Sequence, residues 1–151
     1  MATRNRSGTD PLTHLEQLAA APDKYEYFQA FRVIEAAFPD KARIGEARRP
    51  REDPVRFGQE AEMRFPTSAI ASFEPPEGTM PGRMVNRFFG LFGANGPLPL
   101  HLTEFARARI RQHRDPTFVA FADMLTHRMS TLFYRAWRSG QPAPSFDRAE
   151  N

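Results

Sequence analysis

Phe88-Phe89-Gly90-Leu91-Phe92-Gly93-Ala94-Asn95-Gly96-Pro97-Leu98-Pro99-Leu100-His101-Leu102-Thr103-Glu104 sets apolar residues among three glycines and two prolines, then runs straight into helix-forming sequence. A solvated linker has no use for Leu91, Phe92, Leu98, Leu100 and Leu102 at such density. A strand does not tolerate so many residues that break its hydrogen-bond ladder. The stretch is therefore read as an ordered loop held against hydrophobic surface, either the protein's own core or a partner's. Its glycines at 90, 93 and 96 match neither GxGxxG nor GxxxxGK[ST], and no lysine follows, so a phosphate cradle is unsupported. Asn95-Gly96 is read as a tight turn, because both residues tolerate positive φ.

Downstream of the loop, Thr103 is placed as the cap of a helix running to about Arg114. Asp115 then caps a longer helix with Pro116 at its first position. That helix carries Phe118, Phe121, Ala122, Leu125, Met129, Leu132, Phe133 and Ala136 on one stripe, and Gly140 and Pro142 end it. Upstream the pattern has period two. Val55 and Phe57 alternate with Arg56, while Met63 and Phe65 alternate with Glu62 and Arg64. Ala69, Ala71 and Phe73 oppose Ile70, Ser72 and Glu74, and a longer strand is expected over 83–92. Pro66 and Pro75-Pro76 keep the strands short.

Nearer the start, Asp10 and Pro11 open a helix with Leu12, Leu15 and Leu18 at helical spacing, stopped by Pro22. A second helix spans about Tyr25 to Phe38, with Tyr27, Phe31, Ile34 and Phe38 on one face. Two such helices so close in sequence are expected to form an antiparallel hairpin. The expected architecture is α+β: an N-terminal helical hairpin, short antiparallel strands, then two C-terminal helices. Residues 1–10 read as a disordered tail, 11–138 as a single domain, and 139–151 as a linker or the start of a further half.

Composition narrows the chemistry. The 151-residue chain has no cysteine, which excludes disulfides, thiolate metal sites and a cysteine nucleophile. No run approaches the roughly 20 apolar residues of a membrane span, and the polar start lacks a secretory h-region, so a cytoplasmic protein is expected. Net charge is +3, with Lys24 and Lys41 the only lysines. Arginine suits bidentate recognition of carboxylate or phosphate, so an arginine-rich nucleic-acid-binding module is the alternative reading. Acidic residues interspersed with the arginines, and the lack of any nucleic-acid-binding signature, weigh against it.

The four histidines, His14, His101, His113 and His127, show no HExxH pairing, and no GxSxG elbow is present. Asp123 sits one turn before His127, a spacing read as an ordinary intrahelical contact. Neither catalysis, a metal nor a cofactor is expected. What remains is hydrophobic surplus, including fourteen phenylalanines. Aromatic residues and arginine are enriched at interfaces. The loop contributes Phe88, Phe89, Leu91, Phe92, Leu98 and Leu100 as candidate partner-binding residues. The end of the last helix adds Tyr134, Arg135, Trp137 and Arg138.

The run from Gly90 to Glu104 closely resembles the hallmark of the TssG family, baseplate subunits of the bacterial type VI secretion system. Other segments resemble that family in the same order: Tyr25-Glu26-Tyr27-Phe28-Gln29-Ala30-Phe31-Arg32, Arg43-Ile44-Gly45, Val55-Arg56-Phe57-Gly58, Phe65-Pro66 and Phe121-Ala122-Asp123. The series closes with His127-Arg128 and Leu132-Phe133-Tyr134-Arg135-Ala136-Trp137. One departure is Ala94, where the family usually has proline.

The resemblance implies a non-enzymatic structural adaptor and the N-terminal part of a longer protein. It also implies partners: two copies of TssF and the sheath-initiating TssE in a wedge, six wedges around the VgrG spike hub, and TssK trimers linking the wedge to the inner-membrane complex. That assembly is phage-tail-like and drives contractile injection. The resemblance implies no nucleic-acid partner and no membrane insertion of the chain itself.

Overall fold

A computed structural model describes residues 11–147; the expected tail over 1–10 lies outside the described residues. The N-terminal layer is α1 (Pro11–Ala20) and α2 (Tyr27–Ala37), joined through a 3-10 turn at Pro22–Lys24. Leu15 and Leu18 of α1 share one buried cluster with Tyr27, Ala30, Phe31 and Ile34 of α2. α2 starts two residues later than the periodicity predicts and ends one sooner, the usual uncertainty at helix ends.

Three strands follow: β1 (Val55–Gln59), β2 (Ile70–Glu74) and β3 (Gly82–Asn86), in spatial order β1-β3-β2. The expectation of purely antiparallel strands is corrected. β3 runs antiparallel to β2 but parallel to β1, so the sheet is mixed. The connection over residues 75–81 is short enough to force antiparallel pairing of β2 and β3, and it is itself closed by a bridge between Glu77 and Met80. β1 then flanks the far side of β3, with the longer stretch 60–69 carrying the chain across. A bulge between Ile70 and Ser72 shifts the alternation, so Ile70 and Phe73 both point into the core instead of to opposite faces.

Two expected strand segments are loop. Around Met63 the chain is held by ion pairs, not by a ladder: Glu62 lies against Arg64, Arg107 and Arg111, and Phe65 is exposed. Burial alone would raise the Glu62 pKa. The Met63 N–H and the three guanidinium groups outweigh it and hold the carboxyl below its usual range. The strand expected over 83–92 stops at Asn86, whose side-chain Oδ1 accepts the N–H groups of Phe88 at 3.1 Å and Phe89 at 2.7 Å and turns the chain.

The C-terminal part holds α3 (Leu100–His113) and α4 (Thr117–Ser139). α3 begins three residues before its predicted cap, so Thr103 is inside the helix and fully buried. α4 starts one residue later than expected, with Pro116 at the cap position and Asp115 just before it, where Asp115 still receives the Thr117 N–H at 3.0 Å. The Thr117 hydroxyl and N–H together with the Arg109 guanidinium hold the Asp115 carboxyl well below the ordinary range. A short helix α5 (Ala143–Asp147) occupies the stretch expected as connecting chain; Arg32 of α2 grips Asp147 through two bonds of 2.7 and 2.9 Å.

Candidate interaction surface

β1 has β3 on one side only, so its other edge carries backbone N–H groups that need acceptors. α4 supplies them from two side chains. His127 Nδ1 accepts the Phe57 N–H at 3.2 Å, and Asp123 Oδ1 accepts the Gln59 N–H at 3.0 Å. The spacing explains the fit: four helical residues advance about 6.0 Å, and two strand residues about 6.6 Å. A helix-borne pair thus stands in for the carbonyls of a missing strand. The Asp123 and His127 spacing is therefore not an intrahelical contact but a clamp on the sheet edge. Gly58 is required between them, because a Cβ there would lie 2.5 Å from Asp123 Oδ2.

The rest of the inward face of α4 is also polar or small. Thr126, Ser130 and Thr131 are fully buried, beside Val119, Ala122 and Tyr134. Tyr134 donates to Glu35 Oε2 at 3.1 Å, while Glu35 Oε1 receives the Ile44 N–H at 3.0 Å and Arg138 Nη1 at 2.7 Å. Arg138 also pairs with Glu46. Burial, reinforced by the Glu35 carboxylate, pushes the Tyr134 phenol up and keeps it a donor. This buried network ties α2, the following loop and α4 together.

The loop over 88–104 is laced down in a comparable way. The Gln59 amide makes two bonds to the backbone of Phe92, donating to its O at 2.8 Å and accepting its N–H at 2.7 Å. Asn86 donates to Gly58 O at 2.8 Å, and Thr103 Oγ1 accepts the Gly93 N–H at 3.1 Å. Gly90 lies at φ +149 directly over Gln59, where a Cβ would sit 2.4 Å from Oε1. The loop's positive φ angles fall at Gly90 and Gly93; the turn closed by Gly96 N–H to Gly93 O has none at Asn95 or Gly96. Phe92 fills a second core with Ala61, Ala106, Val119 and Ala122, against which Leu91, Leu98 and Phe118 pack. The loop is thus seated on the protein's own core.

The ten sequence-chosen residues separate by depth. Phe92 and Tyr134 are buried, and Phe89, Leu91, Leu98, Trp137 and Arg138 are partly buried within the chain. Trp137 stacks on Phe28 with ring centroids 4.7 Å apart. Phe88, Leu100 and Arg135 face solvent.

A larger exposed surface lies along the apolar stripe that periodicity marks on α4. Phe121 is 61%, Leu125 51% and Leu132 42% exposed, with Met124, Met129 and Phe133 beside them. The apolar stripe of α4 faces away from the sheet. At one end it continues to Phe105 of α3 through the Phe105 and Phe118 rings, 5.7 Å apart. At the other, Phe133 meets Phe28 and Phe89. Contiguous apolar surface of this kind marks interaction sites in folded proteins. The sequence pattern gives the stripe but not the direction in which it faces.

His127 also approaches Asp53, with Nε2 3.1 Å from Oδ2. A histidine and aspartate pair is half of a general-base device, but here Nδ1 already accepts a backbone N–H, which leaves no ring nitrogen for a substrate. A groove of about 480 Å³ beside the pair contains Arg56, Arg83 and Asp123. Its charges are internally satisfied: Arg83 bonds Asp123 at 2.9 Å and Arg56 bonds the Pro50 carbonyl. Among the described residues no group of three histidine or acidic side chains is arranged to hold a metal. None of the described helices is long and apolar enough to cross a membrane. Among the described residues at least eight of the sixteen arginines pair with carboxylates of the chain, as in Arg87 with Glu60 and Arg109 with Asp115.

Fold and surface together describe a small α+β unit in which buried side chains brace the edge of β1 and the 88–104 loop while a helical apolar face is left open. The family model described as "Type VI secretion, TssG" matches residues 21–151. The chain belongs to the TssG family and is a component of the type VI secretion baseplate. Comparison with curated proteins and with solved structures finds no match to either.

Proposed function

We propose that this chain is a structural adaptor of the baseplate wedge that binds TssF-type subunits, two copies to one, and carries no catalysis. The outward apolar stripe of α4 is the observation that carries the reading, because an isolated unit gains nothing from exposing Phe121, Leu125 and Leu132. Phe88, Leu100 and Arg135 extend the contact toward the loop and the helix end. Phe89, Leu91, Phe92, Leu98, Tyr134, Trp137 and Arg138 support that surface from below. In this reading TssE, the TssK trimers and the VgrG hub are met through the assembled wedge, which docks at the inner-membrane secretion complex. The adaptor's mechanism is geometric: braced polar contacts keep the stripe rigid, so partners are held at fixed angles until the sheath contracts.

Co-expression with a TssF-type subunit, followed by size-exclusion chromatography with light scattering, tests this. Moderate salt suppresses loose charge pairing. The expected result is a stable complex with two TssF copies per chain, lost when Leu125 and Leu132 are changed to arginine. A chain folded by circular dichroism that elutes alone overturns the reading.

A further inference from the structure

The rim of the α4 stripe specifies more than apolar contact, and we infer that it docks a helix of another protein whose own apolar stripe is edged by carboxylates one heptad apart. This rests on the adaptor reading and deepens it by giving the chemistry of the partner element. Arg128 and Arg135, seven residues apart and both exposed, stand on one edge of the stripe. Seven residues advance about 10.5 Å and return to nearly the same side of the helix. Among the described residues neither makes an ion pair; Arg135 makes one long hydrogen bond, of 3.4 Å, to Gly45 O. They differ in this from Arg83, Arg107, Arg109 and Arg138, whose heads are turned to carboxylates of the chain itself.

Charge decides between a second copy and a different protein. Asp123 is the only acidic residue of α4, and it is committed to β1 and Arg83. Two copies placed stripe to stripe would bring guanidinium groups together with no carboxylate from either helix to answer them. A partner with aspartate or glutamate at matched spacing answers both.

Geometry decides between helix and strand. The apolar positions from Phe118 to Ala136 run for about 27 Å along a straight helix, a length and spacing that ridge-into-groove packing pairs with another helix. An added strand draws its affinity from main-chain bonds at a sheet edge. α4 offers none, and the neighbouring edge of β1 is already occupied by Asp123 and His127.

The test titrates the full chain with two synthetic three-heptad amphipathic peptides that share a leucine stripe. They differ only in having glutamate or lysine at two edge positions one heptad apart. Fluorescence anisotropy of the parent chain is expected to favour the glutamate peptide by about tenfold, two pairs of modest strength acting together. The double variant Arg128→Glu with Arg135→Glu should invert that preference, and Leu125→Arg should abolish binding of both, with helix content unchanged by circular dichroism. Equal binding of the two peptides, or no inversion in the double variant, overturns the inference. So does a dimer of the chain that Leu132→Arg dissociates. If the peptides fail while a TssF complex forms, the adaptor reading survives without this contact; peptide discrimination without a TssF complex has the converse meaning.

Discussion

The two faces of α4 reverse the usual arrangement of an amphipathic helix. Its inward face buries Thr126, His127, Ser130 and Thr131, while Phe121, Leu125 and Leu132 look outward. In most surface helices the apolar stripe faces the core. Here the inward face lies along an open sheet edge, where hydrogen-bond acceptors and small side chains are worth more than bulk. Leucine in place of Asp123 or His127 would leave the N–H of Gln59 or Phe57 buried with no acceptor. Satisfying the open edge of β1 therefore decides which face of α4 turns inward, and the apolar stripe is left uncovered by this chain's own sheet.

Substitutions on the two faces should separate stability from binding. The largest expected effect is inward: Tyr134→Ala removes a fully buried ring and the donor to Glu35. Urea denaturation should show a loss of about 3–5 kcal/mol, as for other buried aromatics. His127→Ala and Asp123→Ala come next, at about 1–3 kcal/mol each for a buried N–H left unsatisfied. Hydrogen exchange should then quicken at Phe57 for the first variant and at Gln59 for the second.

On the outward face, Leu125→Ser and Leu132→Ser should change stability by no more than about 0.5 kcal/mol, yet weaken partner binding. If either Ser variant unfolds the chain, the stripe is core and the comparison collapses.

The smallest effect sharpens the picture at the start of α4. Asp115 has a folded pKa below its ordinary value of 3.8, so its contribution is present above that value. It is lost as pH falls through the lower folded value. Thermal melts of Asp115→Asn should therefore differ most from the parent near neutral pH and converge in strong acid.

Much of the architecture was legible in local pattern. Pro11, Pro22, Asp115 and Gly140 mark helix ends through their own backbone chemistry, and α1, α2 and α4 lie close to where periodicity puts them. Val55 and Phe57 announce β1. The strand expected over 83–92 failed because Asn86 turns the chain with a side chain, which no alternation of polar and apolar residues encodes. Parallel pairing of β1 with β3 was equally hidden, since alternation is the same for either direction. The candidate surface was half legible: the stripe could be counted residue by residue, but Tyr134 was grouped with exposed neighbours it does not join.

Local pattern was enough for α1 to α4 to within a few residues, for β1 and β2, for the exclusion of cysteine chemistry and for the resemblance that the family match bears out. Contacts between distant segments set which face of α4 turns inward, let Gln59, Asn86 and Thr103 hold the 88–104 loop, and bring Asp123 and His127 to close the edge of β1. The reason is physical. Periodicity reports the chemistry of each face of an element, whereas orientation depends on which unsatisfied groups another element, distant in sequence, brings to meet it.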